Sequence, residues 1–210
     1  MPARIWWPAV FTTKFQEWVR AGARRLVPLL RAVGWSPNVL TMVGLMVCAA
    51  SAALIALGYL TAGGIVLLVA SGFDILDGAL ARGNGRVHRY GAFLDSTTDR
   101  YAESFTYIAL LYYFLFRTHS SVEPMLVIFA LTGSLLVSYV RARAQSLGFE
   151  ADGGLLARPE RVVITVAGLI FPPALSWALW ILAVLTNVTA VQRIWLVWQQ
   201  SRRTPAPDLQ

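Results

Sequence analysis

Four carboxylates stand where two apolar stretches meet: Asp74 and Asp77, three residues apart, and Asp95 and Asp99, four apart. On helices these spacings put each pair on one face. A charged group within hydrocarbon costs about 2.5–3.5 kcal/mol on insertion scales, so four of them need compensation. The linker 83–90 is short and contains Gly83 and Gly85, which makes the two helices antiparallel neighbours and brings the four acids together. Unaccompanied, they would repel one another. A divalent cation, or a pair of them, removes the repulsion, and oxygen-only donors suit magnesium, manganese or calcium rather than zinc. Magnesium characteristically works on phosphate-bearing substrates, so the pattern points to phosphoryl chemistry. Gly78, directly after Asp77, lets a phosphate approach the metal and the backbone. Arg82, one turn further on, is placed for phosphate oxygens, and Gly91 leaves room where the next helix begins. Close helix packing would also use Gly78 and Gly91, and Arg82 could be a charge at a membrane edge. Neither explains four acids on paired faces.

The elements that carry these residues are membrane spans. The chain has 210 residues, 57% hydrophobic and only 14% charged, with a mean hydropathy of +0.58. A soluble domain carries about a quarter charged residues. Apolar runs of crossing length, about 20 residues, fall at roughly 38–59, 61–82, 91–116, 122–145, 159–180 and 174–197, the last two divided at Pro172-Pro173. The expected fold is therefore an all-α membrane protein with six transmembrane helices. The net charge of +7 comes from 17 Arg and one Lys against 11 acids. An anionic membrane surface, rather than nucleic acid, fits that excess in so apolar a chain. With six spans, every basic residue except Arg117 falls on one side, so the positive-inside rule puts both termini and the four acids at the cytoplasmic face of a multi-pass cell-membrane protein. Within 1–35, Phe15, Trp18, Val19, Leu26, Leu29, Leu30 and Val33 recur at helical spacing among Lys14, Arg20, Arg24, Arg25 and Arg31. That reads as an amphipathic interfacial helix, although periodicity alone equally allows a helix packed on the protein's own surface. The organisation is an N-terminal segment 1–35, a helical domain 36–199 and a disordered tail 200–210. Cys48 is the only cysteine, so no internal disulfide forms.

The run Asp74-Ile75-Leu76-Asp77-Gly78-Ala79-Leu80-Ala81-Arg82, then eight residues, then Gly91, Asp95 and Asp99 at four-residue steps, resembles the full signature of the CDP-alcohol phosphatidyltransferases. Every fixed position and every gap agrees. The resemblance implies a six-helix membrane enzyme, a homodimer, and two divalent ions (Mg2+ or Mn2+) held by Asp74, Asp77, Asp95 and Asp99. It implies that Asp99 is also the base for the acceptor hydroxyl, which attacks the lipid-side phosphorus of a CDP-lipid and releases CMP. It further implies that Asn38, Val39, Leu40 and Thr41 help bind the cytidine diphosphate with Gly78 and Arg82. His88 stands where relatives carry a small hydroxyl residue against the CDP-lipid. Independently, Ser36 and Pro37 read as a helix cap and first turn.

Arg141, Arg161 and Arg193 come from three separate helices at similar depth. Arginines at a boundary commonly snorkel, yet three together could hold a second phosphate. The segments 138–143, 158–161 and 191–193 are similar to those of phosphatidylinositol phosphate synthases of actinobacteria and their archaeal counterparts. There these positions hold the phosphate of inositol phosphate, the first often as Lys. The acceptor implied is a phosphorylated alcohol, inositol phosphate first and glycerol 3-phosphate second. A cation transporter is the alternative of another class, but it would spread its acids through the membrane depth.

Overall fold

The computed structural model describes Pro28 and residues 34–83 and 89–202, with Arg82 described for its backbone only. The expected N-terminal interfacial helix, the His88 contact and the tail beyond Arg202 lie outside the described residues. Six α-helices follow: α1 (Pro37–Ala56), α2 (Leu60–Gly83), α3 (Arg89–Phe116), α4 (Glu123–Ser146), α5 (Arg158–Ile170) and α6 (Leu175–Ser201), with a 3-10 turn at Pro172–Ala174. α6 therefore continues through Gln200 and Ser201, the first two residues of the expected tail.

Local chemistry explains the boundaries. Ser36 caps α1 by accepting from the Val39 amide at 3.3 Å, and Pro37 occupies the first turn, where its missing N–H costs nothing. α1 ends at Gly58, whose φ of +93° is open to glycine at little cost and lets the Tyr59 amide return to the Leu54 carbonyl at 2.9 Å. Pro159 starts α5, and the Pro172-Pro173 pair separates it from α6 as expected.

Among the described residues, four helical segments are long and apolar enough to cross a membrane: Pro37–Ala56, Leu60–Ala81, Glu123–Ser146 and Pro172–Ser201. The two helices outside that set are informative. α3 has 28 residues, but its first fifteen include Arg89, Asp95, Asp99, Arg100 and Glu103. α5 has 13 residues, about 20 Å at 1.5 Å each, and begins with Arg158, Glu160 and Arg161. The expected fifth span of 159–180 is thus corrected: the helix stops at Ile170, because the apolar run continues across the proline turn into α6.

α1 packs on α2 and α3, α3 on α4, α4 on α6, and α5 against α2 and α6. One core joins them, built from Ile55, Leu67, Leu110, Val127, Leu169 and Leu179 among others. Outward faces stay apolar: Met46, Phe93, Tyr139, Trp177 and Val191 are all more than 60% exposed. A soluble monomer rarely shows so much contiguous apolar surface, whereas lipid covers it naturally.

The α4–α6 seam is the tightest. A Cβ on Gly133 would collide with the Thr186 side chain and lie 2.8 Å from Asn187 Nδ2. That approach sets Arg141 on α4 beside Arg193 on α6. Gly133→Val is therefore expected to destabilise the protein by about 1–3 kcal/mol through overpacking. Gly72→Ala, where an added Cβ meets nothing within 4 Å, should be neutral or stabilising by up to about 1 kcal/mol. Thermal unfolding midpoints in detergent check this; equal midpoints for the two variants would contradict the packing assignment.

Candidate active site

The site lies where α2, α3 and α5 face one another. Asp74 and Asp77 project from α2 and Asp99 from α3, as the signature spacing requires, and α5 answers them with arginine. Arg158 Nη2 donates to Asp74 Oδ2 at 2.8 Å and lies 2.6 Å from Asp99 Oδ1. One guanidinium nitrogen thus bridges carboxylates from two helices. One turn deeper, Arg161 donates from Nε to Glu103 Oε1 at 2.7 Å and from Nη2 to Glu103 Oε2 at 3.2 Å. Two ion pairs stack between α3 and α5, and Arg161 is only 1% exposed.

The other two aspartates sit differently. Asp77, 4% exposed, accepts from the Thr41 hydroxyl at 2.6 Å. Asp95 lies close enough to Asp74 and Asp77 to repel both charges, with Arg158 and Arg100 attracting it. The four acids are therefore electrostatic neighbours, as expected. They do not form a closed cage: among the described residues, no three Asp, Glu, His or Cys side chains gather tightly enough to enclose an ion. Arg158 places a positive charge between Asp74 and Asp99. The donor set nevertheless fits a hard divalent cation, since it is all oxygen and two of its carboxylates already converge on one cationic nitrogen.

The segment expected to contact cytidine diphosphate, Asn38 to Thr41, forms the first turn of α1. Thr41 turns inward to Asp77 and Leu40 is fully buried, whereas Val39 is about half exposed. Asn38 Oδ1 lies 3.2 Å from where a Cβ on Gly91 would stand, so the glycine makes room for Asn38. Gly78 is half-buried beside Asp77.

The three arginines expected to hold an acceptor phosphate do gather, since Arg141 and Arg161 both lie close enough to repel Arg193. Each already spends donors on the protein. Arg141 Nε is 2.7 Å from Asp152 Oδ1. Arg193 donates from Nε to the Gly153 carbonyl at 2.8 Å and from Nη1 to the Val137 carbonyl at 2.7 Å. It thereby ties the loop 147–157 to α4, helped by Thr189, which accepts from the Leu156 amide at 3.1 Å, and by Gln192, which accepts from Leu155 at 3.3 Å. Arg161 alone keeps a buried donor without a partner, Nη1. A cavity of about 50 Å³ is lined by Thr41, Asp74, Thr98, Glu103, Arg158 and Arg161 among others, so it reaches Asp74 of the four acids and Arg161 of the three arginines. Roughly one probe sphere of 10–15 Å³ suffices for a water, so the cavity is large enough for several.

Glu103 and Arg158 were not singled out from sequence. Glu103 extends the Asp95, Asp99 stripe by one more four-residue step, and Arg158 lies three before Arg161, so the spacing that marked their neighbours also marked them.

Comparison with known proteins agrees with this geometry. The chain belongs to the CDP-alcohol phosphatidyltransferase family, whose model matches residues 35–198, and it is a membrane transferase of that class. It is 37% identical to phosphatidylinositol phosphate synthase of Mycobacterium tuberculosis over 190 residues, covering 85% of this chain and 88% of that one. It is 39% identical to archaetidylinositol phosphate synthase of Methanothermobacter thermautotrophicus over 185 residues, 84% and 91% of the two chains. The fold matches the crystal structure of the M. tuberculosis synthase with CDP-DAG bound, with a TM-score of 0.80 at 36% identity over 84% of this chain and 93% of that one. The same enzyme in complex with manganese and citrate also gives a TM-score of 0.80, at 36% identity over 84% of this chain and 88% of that one.

Thr41 and Asp77 yield a test. Thr41→Val keeps the side-chain shape but leaves a buried carboxylate without its donor, and should cost about 1–3 kcal/mol. Thr41→Ser keeps the hydroxyl and should stay near wild type. Thermal midpoints compare them; a Val variant as stable as wild type would remove the hydrogen bond from the account.

Proposed function

We propose that the protein transfers a phosphatidyl group from a CDP-lipid such as CDP-diacylglycerol to inositol phosphate, releasing CMP and forming phosphatidylinositol phosphate. The observation that carries the acceptor is the electrostatic proximity of Arg141, Arg161 and Arg193, with Arg161 lining the cavity and its Nη1 donor unspent. The similarity to relatives named for inositol phosphate products supports it.

Asp74, Asp77, Asp95 and Asp99 would hold two divalent ions, Mg2+ or Mn2+, with Arg158 moving off Asp74 and Asp99. When bound, such ions supply charge neutralisation of the diphosphate and of the leaving phosphate. The chain's own residues do the remainder. Asn38, Val39, Leu40 and Thr41 with Gly78 and Arg82 would bind the nucleotide side of the CDP-lipid, and Arg141, Arg161 and Arg193 would fix the acceptor phosphate. Asp99 takes the proton of the acceptor hydroxyl as its oxygen bonds to the lipid-side phosphorus. The bond from that phosphorus to the CMP phosphate breaks, and CMP carries away the electron pair.

The same reading takes all six helices as spans, with the segment before Trp35 lying in the interface. It puts both termini and the site on the cytoplasmic side, because all basic residues except Arg117 fall there under that topology, and it takes the protein as a homodimer from the family resemblance alone. The short α5 supports a recessed site. At about 20 Å it covers only part of a ~30 Å hydrocarbon layer, so Arg158 and Arg161 lie below the boundary. The loop 147–157, with its backbone bonded to α6 side chains, closes the gap.

Purified protein given a CDP-lipid, Mg2+ and inositol phosphate should release CMP, and more efficiently than with glycerol 3-phosphate. No metal-dependent release with either acceptor would refute the transferase reading, and release with glycerol 3-phosphate alone would refute the inositol assignment. Asp95→Asn should abolish turnover while the thermal midpoint stays close to wild type. Near-normal turnover would exclude Asp95 as an essential ligand.

A further inference from the structure

Glu103 lies outside the family signature, yet it makes the only two-point contact with a guanidinium in the site among the described residues. Its carboxylate takes Nε and Nη2 of Arg161, both as charge-assisted bonds. Arg161 is 1% exposed and lines the cavity, and the one nitrogen Glu103 does not touch, Nη1, is buried and without a partner. A buried donor of a charged group is costly to leave unmade, so this edge is built to receive an acceptor atom. A guanidinium is planar and rigid. Fixing two of its nitrogens therefore fixes the direction of the third.

We propose that Glu103 is a positioning residue for acceptor binding: it anchors Arg161 so that Nη1 meets the phosphate of the alcohol substrate. The proposal rests on the reading of Arg161 as an acceptor ligand and deepens it. Glu103 reaches the spot because it stands one turn beyond Asp99 on α3, as Arg161 stands one turn beyond Arg158 on α5. The two pairs are rungs of one ladder, with Asp99–Arg158 on the reacting side and Glu103–Arg161 on the acceptor side. The inner pair is neutral overall. The phosphate is thus recognised by an aimed donor rather than by a diffuse positive field, which favours a correctly placed phosphate over other anions.

A merely structural counter-ion and a positioning residue differ in what they move. KM for inositol phosphate, KM for the CDP-lipid and the thermal midpoint should be measured for Glu103→Gln, Glu103→Asp, Arg161→Ala and the double variant Glu103→Gln/Arg161→Ala. Arg161→Ala should raise the acceptor KM about ten- to hundredfold, the loss of one charge-assisted bond, and leave the CDP-lipid KM within about twofold. Glu103→Gln should raise the acceptor KM by a similar factor, and Glu103→Asp, which keeps the charge on a shorter arm, by less. The double variant should be no worse than Arg161→Ala, since Glu103 acts through it. An acceptor KM unchanged or lowered in both Glu103 variants, with a fallen midpoint, would leave Glu103 a structural counter-ion and overturn the proposal. Multiplying losses in the double variant would overturn it too. An unchanged acceptor KM in Arg161→Ala would instead sink the acceptor assignment of Arg161 itself, and Glu103 with it. Should Glu103→Gln fail to fold, the Glu103→Asp values alone decide.

Discussion

Charges buried in an apolar bundle must be neutralised where they stand, and this requirement organises the molecule. α3 presents acids at 95, 99 and 103, α2 adds Asp74 and Asp77, and α5 returns Arg158 and Arg161. Removing one partner of such a buried pair typically costs about 3–5 kcal/mol, so the faces of α2, α3 and α5 are not free to rotate. The remainder of the fold holds them in register. α1 seats Thr41 on Asp77, and α6 uses Arg193, Thr189 and Gln192 to fasten the loop that leads into α5.

The same requirement explains why function sits in the least membrane-like helices. α3 and α5 are the two that length and apolarity do not mark as spans, and they carry the groups that pair across the site. Their charges face each other rather than lipid.

Much of this was legible in the residue order. Ser36 and Pro37 announced the start of α1, and Pro172-Pro173 the turn before α6. The aspartate spacing placed the site, and the three arginines did gather. What stayed hidden depends on contacts between helices. Spacing along α3 shows that Asp95 and Asp99 share a face, but not that Arg158 stands opposite. Thr41 read as a substrate residue from its place in the segment 36–41; that its hydroxyl also donates to Asp77 depends on the packing of α1 on α2. The length of α5 was masked because apolar residues run unbroken through the prolines, so composition alone merged the end of one helix with the next.

The account turns on the proposal that the four carboxylates are a cation site, with Arg158 beside Asp74 and Asp99. Manganese titrated into metal-stripped protein, with free Mn2+ followed by electron paramagnetic resonance, tests this most directly. Wild type should bind Mn2+ saturably, Asp99→Asn should lose most of that binding, and Arg158→Gln should bind more tightly because a competing positive charge is gone. Binding that is absent from wild type, or unaltered by both substitutions, would contradict it.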